Sequence, residues 1–267
     1  MRIMTFNIRG FSNEDGVNNW ENRAPLNVRT IRKYMPDLIG FQELENGNLA
    51  TYQKELPQYE HILGPKASNN EPYNYDAIFW LPSCLELLDS GGFWLNRTSE
   101  QLSSDWGAHS VRAATWAKFR EKDSGKECFH FNTHLDHVSD EAEIEGSKLI
   151  VRKVAELAGN DVPVFVTGDF NCSPGSLPYS IFMEHGFVDT YLAAGNVDSL
   201  ESNTHHAFGG TKPSTSGKRK VFRRFDWILL RDTLQQFRVR SCEIIKDQEP
   251  PVYPSDHYSV LAEVVIK

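Results

Sequence analysis

The residues with the clearest capacity for chemistry are Asp169 and Asn171, in the segment Val164-Phe165-Val166-Thr167-Gly168-Asp169-Phe170-Asn171. β-prone residues run up to a glycine that lets the backbone turn, and an acid and an amide follow at i and i+2. Side chains alternate along a strand, so this spacing predicts both groups on one side of a strand end. A carboxylate beside a carboxamide at the mouth of a sheet can hold and deprotonate a water while donating a hydrogen bond to an anion. A Gly-Asp-x-Asn segment also makes an ordinary self-satisfied turn, so the rest of the chain decides.

Five other places put a polar residue of catalytic type at the end of an apolar strand. Asn7 follows Ile3-Met4-Thr5-Phe6, Glu43 follows Leu38 to Gln42, and His134 ends Phe129-His130-Phe131-Asn132-Thr133. Asp226 lies in Arg224-Phe225-Asp226-Trp227-Ile228-Leu229-Leu230, and Asp256 with His257 opens the last strand. Any one could cap or brace a strand. Together they point to a shared site, because sheets in α/β proteins gather ligand-binding groups at strand ends.

The chemistry they suit is hydrolysis of a phosphate ester. Glu43, Asp256 and Asn7 offer hard oxygen ligands, which favour Mg²⁺ or Mn²⁺ over zinc. Phosphoryl transfer loads charge onto nonbridging oxygens, so His134, His257, Asn171 and Arg112 would supply donors beside the metal. Asp226 would hold His257 in one tautomer and keep it protonated against the phosphate.

These residues need a scaffold. Arg2 to Ile8, Asp37 to Gln42, Tyr59 to Leu63, Tyr75 to Trp80 and Leu85 to Asp89 read as strands. So do Ala113 to Arg120, Glu127 to His134, Val162 to Thr167, Phe225 to Leu230, Phe237 to Ile245 and Tyr258 to Ile266. Asp123-Ser124-Gly125-Lys126 is a hairpin turn between two of them. Helical spacing marks Trp20 to Tyr34, stopped by Pro36, and Ser139 to Ala158, whose acidic first half suits the helix dipole. Short helices are expected over Leu49 to Leu56 and Pro178 to His185. No repeat or linker divides the chain, and one domain over 1–267 is expected.

Composition sets bounds. A net charge of −8 and pI near 5.6 count against holding long duplex DNA by charge alone, although bound divalent cations would invert the sign locally. The four cysteines are widely spaced, without a zinc or redox motif. No apolar run approaches the roughly 20 residues that span a bilayer, and the N-terminus enters a strand at once, leaving no room for a signal peptide. The expectation is a cytoplasmic protein, with a trimmed exported form as the alternative, and with no membrane anchor and no obligate protein partner.

The polar stretch from Asn196 to Arg224 carries His205, His206, Phe208 and a basic run of Lys218, Arg219, Lys220, Arg223 and Arg224. Its functional reading is a clamp for an anionic substrate near Asp226, with His205 and His206 lining the pocket; its plain reading is a solvated loop with both rings exposed. Trp94 and Trp106 read as core residues that could alternatively stack a base or sugar, and Asp136 and His137 as the turn after a strand.

Thr5-Phe6-Asn7-Ile8-Arg9, Phe41-Gln42-Glu43, Thr133-His134-Leu135, Gly168-Asp169-Phe170-Asn171, Phe225-Asp226-Trp227-Ile228-Leu229 and Ser255-Asp256-His257 occur in the order of the endonuclease/exonuclease/phosphatase superfamily, which the chain resembles over almost its whole length. It looks most like compact bacterial members with Trp20-Glu21-Asn22-Arg23 after the first strand and Asn132-Thr133-His134-Leu135-Asp136-His137 in the middle. The resemblance implies an α/β, DNase I-like four-layer sandwich: two mixed sheets face to face, flanked by helices. It implies Glu43, Asn7 and Asp256 at the metal and Asp169 as the group that deprotonates water. Asn171 and His257 would bind the scissile phosphate, Asp226 would back His257, and His134 would contact a nonbridging or leaving oxygen. Tyr75 and Arg112 fall where many members bind phosphate. Ala77 stands where some members carry an acid supporting His134, so that partner is unassigned.

The expected substrate is a phosphate ester, either nucleic acid or a small phosphorylated sugar, nucleotide or lipid headgroup. The basic run favours the first and the acidic balance the second. An inactive binding scaffold is the third reading, and the intact acid, amide and imidazole set counts against it.

Overall fold

A computed structural model describes residues 1–68, 70–211 and 224–267. Lys218, Arg219, Lys220 and Arg223 lie outside the described residues. The chain begins β1 (Arg2–Asn7), α1 (Trp20–Tyr34), β2 (Leu38–Gln42), β3 (Leu44–Glu45), α2 (Asn46–Glu55), β4 (Glu60–Ile62), β5 (Asn74–Tyr75) and β6 (Ile78–Trp80). It continues β7 (Leu85–Trp94), β8 (Ala113–Glu121), β9 (Glu127–His134), α3 (Asp140–Ala158), β10 (Val164–Asp169) and α4 (Leu177–Glu184). It closes with β11 (Val188–Asp189), α5 (Thr190–Ala193), β12 (Asp226–Arg231), β13 (Phe237–Ile245) and β14 (Ser259–Ile266).

Two six-stranded sheets result, ordered β13-β14-β1-β2-β6-β4 and β11-β12-β10-β9-β8-β7. Each has one parallel pair at its centre, β1/β2 and β9/β10, with antiparallel neighbours outside. All of β2 and β10 is buried, as expected of central strands covered on both faces. Ile3 and Leu38 of the first sheet pack with Phe119, Cys128, Phe165 and Ile228 of the second. Helices close the outside: Val28 and Ile31 of α1 on Phe41 and Phe79, and Ile150 and Val154 of α3 with Phe182 of α4 on Phe131 and Val166. This is the expected four-layer α/β sandwich.

Local chemistry sets the helix ends. The Asn19 side chain accepts from Asn22 N to start α1, and Met35 stops it in a left-handed turn before Pro36. Ser139 caps α3 through Ala142 N, with Asp140, Glu141 and Glu143 in its first turn. The expected strand over Tyr75 to Trp80 divides into β5, which pairs with β3, and β6, which joins the first sheet.

A polar network crosses the core between the two parallel pairs. Gln42 Nε2 donates to Thr5 Oγ1 at 3.1 Å and Asn132 Oδ1 at 2.7 Å, and Thr167 Oγ1 donates to the same Asn132 oxygen at 3.0 Å. Asn132 Nδ2 donates across the sheets to Phe41 O and Ala77 O, and His130 Nε2 lies 2.7 Å from Thr167 Oγ1. Gly40 makes room, because a Cβ there would overlap Thr167 Oγ1 and Asn132 Oδ1. Directional bonds of this kind fix the offset between sheets, which apolar contact alone would leave loose.

Candidate active site

Register sets Asp226, Asp169 and His134 side by side across β12, β10 and β9. From the other sheet Asn7, the last residue of β1, donates its carboxamide to Asp169 Oδ2 at 2.9 Å and to Glu43 Oε1 at 3.0 Å. Asp169 Oδ2 also lies 3.4 Å from His134 Nε2 and 3.6 Å from His257 Nε2. His257 Nδ1 is 2.9 Å from Asp226 Oδ2. Ligand atoms of Asp256, His257 and His205 fall within 4.8 Å of one another. Glu43, Asn7, Asp256, His134, Asp169, Asp226 and His257 therefore converge from both sheets.

Two contacts hold the segments that carry them. Ser255 Oγ donates to Asn7 O at 2.7 Å, joining the end of β1 to the turn before β14. Arg23, fully buried on α1, places its five N–H groups on five carbonyls, those of Asn18, Ile8, Pro254, Arg9 and Gly10. One guanidinium so ties α1 to the backbone flanking both Asn7 and Asp256. Trp20-Glu21-Asn22-Arg23 stood out in the sequence, but nothing there revealed this role.

The electrostatics divide the titratable groups. Burial works against a charged His257, yet Asp226 and Asp169 outweigh it and raise the ring well above its ordinary value. Burial followed by Arg112 holds His134 well below its own, and therefore neutral. Burial would raise Asp169, but His257, His134 and the Asn7 amide overcome it and keep the carboxylate ionised. Asp256 is likewise lowered, as His257 and Arg9 outweigh burial. Glu43 is raised by burial and then by Asp256.

That last pair tests the site for a metal. Half-buried Glu43 and buried Asp256 are carboxylates near enough to repel, with the Asn7 carboxamide beside Glu43 and Arg9 Nε 3.9 Å from Asp256 Oδ2. Two carboxylates under mutual repulsion fit a hard divalent cation, and the Asn7 oxygen, which accepts from Arg9 N at 3.0 Å, is a further hard ligand beside them. The groups His205–Asp256–His257 and Asp169–Asp226–His257 are also compact enough for an ion, but a protonated His257 paired to Asp226 has no lone pair to give.

Several placements differ from the sequence reading. β10 ends at Asp169, and Asn171 sits beyond it at φ 52°, its N–H on Asp169 Oδ1 at 3.0 Å and its amide on Leu135 O at 2.9 Å. A left-handed turn, rather than strand alternation, brings it into the cavity. Arg112 lines the cavity, with Nη2 3.1 Å from His137 Nδ1 and a buried Nε that makes no hydrogen bond but is ion-paired to Asp136 Oδ2 at 3.9 Å. Tyr75, expected to bind substrate, is half-buried and packs against the first sheet's outer core, where β5 pairs with β3. His206 is also corrected: its ring is buried against Tyr253 and Tyr258, and its neighbour His205 lines the cavity. Arg224 is no surface clamp, being buried between Asp189 and Asp198 at 2.6 Å each. Trp106 packs on the core and Trp94 donates to Lys66 O, neither in the cavity wall. Asp136 is more than a turn residue, since its carboxylate also accepts the N–H groups of His109 and Ser110 and ties down the β7–β8 loop.

Two site residues went unread. Arg9 lies in the cavity wall, bidentate to Asp15. Asp76 is buried with Oδ2 unpartnered, and burial holds its carboxyl well above the usual range against the pull of Arg112. An acid immediately before an apolar strand, one position from Ala77, was the available signal.

Glu43, His134, Asp169, Asn171, Asp256 and His257 line a cavity of about 650 Å³. Among solved structures, an endonuclease/exonuclease/phosphatase from Bacteroides vulgatus is 32% identical, with TM-score 0.87, over 100% of this chain and 98% of that one. The mannosyl-6-phosphatase of Bacteroides thetaiotaomicron is 27% identical, TM-score 0.87, over the full length of both. Nocturnin of Drosophila melanogaster is 25% identical over 91% of this chain, which spans only 42% of that protein. These likenesses agree with the DNase I-like sandwich described above. With its family model matched from residue 4 to residue 257, a stretch that runs from β1 to His257, the chain belongs to the Endonuclease/Exonuclease/phosphatase family.

Proposed function

We propose that the protein is a divalent-metal-dependent phosphoesterase, acting on a small phosphorylated molecule, a sugar phosphate foremost, with Mg²⁺ or Mn²⁺ held by Glu43, Asp256 and Asn7. The observation that carries the reading is the convergence of Asn7, His134 and His257 on one oxygen of Asp169. Asp169 Oδ2 would accept a proton from the attacking water, and the Asn7 amide holds that oxygen in place. Protonated His257 would donate Nε2–H to a phosphate oxygen as charge gathers there, with Asp226 fixing its ring. Neutral His134 stands ready to donate to or accept from a nonbridging or leaving oxygen. Arg112 and the second N–H of the Asn171 amide supply further donors. A bound cation would neutralise phosphate oxygens and make phosphorus more electrophilic.

The small-substrate reading is supported by the cavity. Its volume of about 650 Å³ suits a small ligand. Nucleic-acid channels stack bases on aromatic rings, and among the described lining residues Phe225 is the one such ring apart from the histidines. The net charge of −8 and the similarity to a mannosyl-6-phosphatase point the same way. Nocturnin and an exoribonuclease among the curated relatives favour a nuclease as the second reading.

A substrate panel with Mg²⁺ or Mn²⁺, and with chelator as control, separates the two. p-Nitrophenyl phosphate, bis-p-nitrophenyl phosphate, hexose phosphates, phosphoinositides and oligonucleotides form the panel. Turnover confined to small esters is expected. Oligonucleotide cleavage with a steep salt dependence would select the nuclease, and inactivity on every ester would refute the phosphoesterase.

A further inference from the structure

The cavity wall carries four carboxylates, Glu43, Glu45, Asp169 and Asp256, and the proposed reaction uses three. Glu45 is left over. It is 8% exposed, lies two residues beyond Glu43, and sits opposite Asn74 in the β3–β5 pairing. Its side chain is held firmly: Oε2 accepts from Ser12 N at 3.0 Å and Ser12 Oγ at 2.6 Å. It also caps α2 reciprocally, its carboxylate accepting the Asn48 N–H while Glu45 N donates to Asn48 Oδ1 at 3.0 Å. Asn13 stands alongside. A Cβ on Gly10 would overlap Glu45 Oε1 and come within 2.9 Å of Asn13 Nδ2, so the missing side chain lets acid and amide meet over one backbone atom.

We propose that Glu45, with Asn13 and Asn74, forms a subsite for the hydroxyl groups of a sugar phosphate; this rests on the phosphoesterase reading. With Ser12 N, Ser12 Oγ and the Asn48 N–H already on this carboxylate, it has room to accept one sugar O–H group, through a charge-assisted bond. The two carboxamides each offer an acceptor and two donors, matching hydroxyls that both give and receive. The same carboxylate repels a second phosphate, so it selects a neutral polyol over the flanking nucleotide of a polynucleotide. Because Ser12 and Asn48 hold Glu45 before any ligand arrives, little ordering is left for binding. The subsite thus explains how one family cavity would choose a sugar leaving group.

The test is selectivity. Steady-state kcat/KM is measured with glucose 6-phosphate, mannose 6-phosphate and p-nitrophenyl phosphate, which has no sugar hydroxyls, for the full chain, Glu45→Gln and Glu45→Ala. The ratio of hexose phosphate to aryl phosphate should fall at least about tenfold in both variants, a typical effect of losing one charge-assisted contact. An unchanged ratio overturns the subsite. So does an equal loss on every ester with a raised metal requirement, which would place Glu45 at the cation instead. Asn74→Ala, expected to lower the same ratio, takes over if the Glu45 variants do not fold. A calorimetric titration on an Asp169→Asn background is independent of turnover. Glucose 6-phosphate should bind more tightly than inorganic phosphate, and adding Glu45→Gln should erase the gap; a gap that persists overturns the subsite. If the unmodified protein hydrolyses none of the esters, the phosphoesterase reading fails, and the titration decides the subsite alone.

Discussion

Asn7 and Asp169, 162 positions apart and on different sheets, share a 2.9 Å hydrogen bond. That contact exists because two parallel strand pairs are locked at one offset, and the polar network beneath the site sets the offset. The site's geometry is therefore a property of the core.

Gly40→Ala tests this link. The added methyl would overlap Thr167 Oγ1 and Asn132 Oδ1, so the sheets must separate or the network must break. We expect a loss of about 1–3 kcal/mol, read as a Tm lower by several degrees. kcat/KM should fall too, although residue 40 touches no group of the proposed reaction.

Arg23→Lys tests the organiser on α1. An ammonium offers three donors from one point where five carbonyls are served by a planar fork. Urea unfolding should show a loss of about 3–5 kcal/mol, and activity should drop at least about tenfold as Asn7 and Asp256 lose their fixed spacing. Unaltered kinetics in a folded variant would remove Arg23 from the positioning role.

His130 gives a pH test away from the proposed metal ligands. Burial lowers its pKa to about 3, against about 6.5 in the unfolded chain. The folded state binds fewer protons, so stability is full above the unfolded value and is lost as pH falls from about 6.5 toward 3, at up to about 1.4 kcal/mol per pH unit. Replacing His130 with Leu should flatten the stability–pH curve across that window by about one proton. An identical slope in both proteins would contradict a neutral buried ring.

Much of this was legible in the sequence, for stated reasons. α1 spans the expected Trp20–Tyr34, and β9 and β13 their expected residues, because long periodic or alternating segments report their own burial. The strand-end residues were legible for the same reason. What depends on pairing was not. The Asn132–Gln42–Thr167 network appears only once the sheets are stacked, and the packing of Tyr75 on the outer core follows from the pairing of β5 with β3. For His205 and His206, polar composition predicted a loop but not which ring faces inward.

Cation binding should be visible without turnover. Glu43 and Asp256 repel each other, so saturating Mg²⁺ or Mn²⁺ should stabilise the chain by about 2–3 kcal/mol at a hundredfold excess over Kd. Thermal melts of Glu43→Gln should lose that shift and show a higher metal-free Tm than the unmodified protein. A metal-induced shift that survives in Glu43→Gln would move the cation elsewhere.

The most direct measurement of the central claim is turnover of a phosphate ester by purified Asp169→Ala and His257→Ala in saturating Mn²⁺, with circular dichroism verifying each fold. The account predicts that each variant keeps its fold and loses at least about a hundredfold in kcat. Near-normal hydrolysis by either would contradict it.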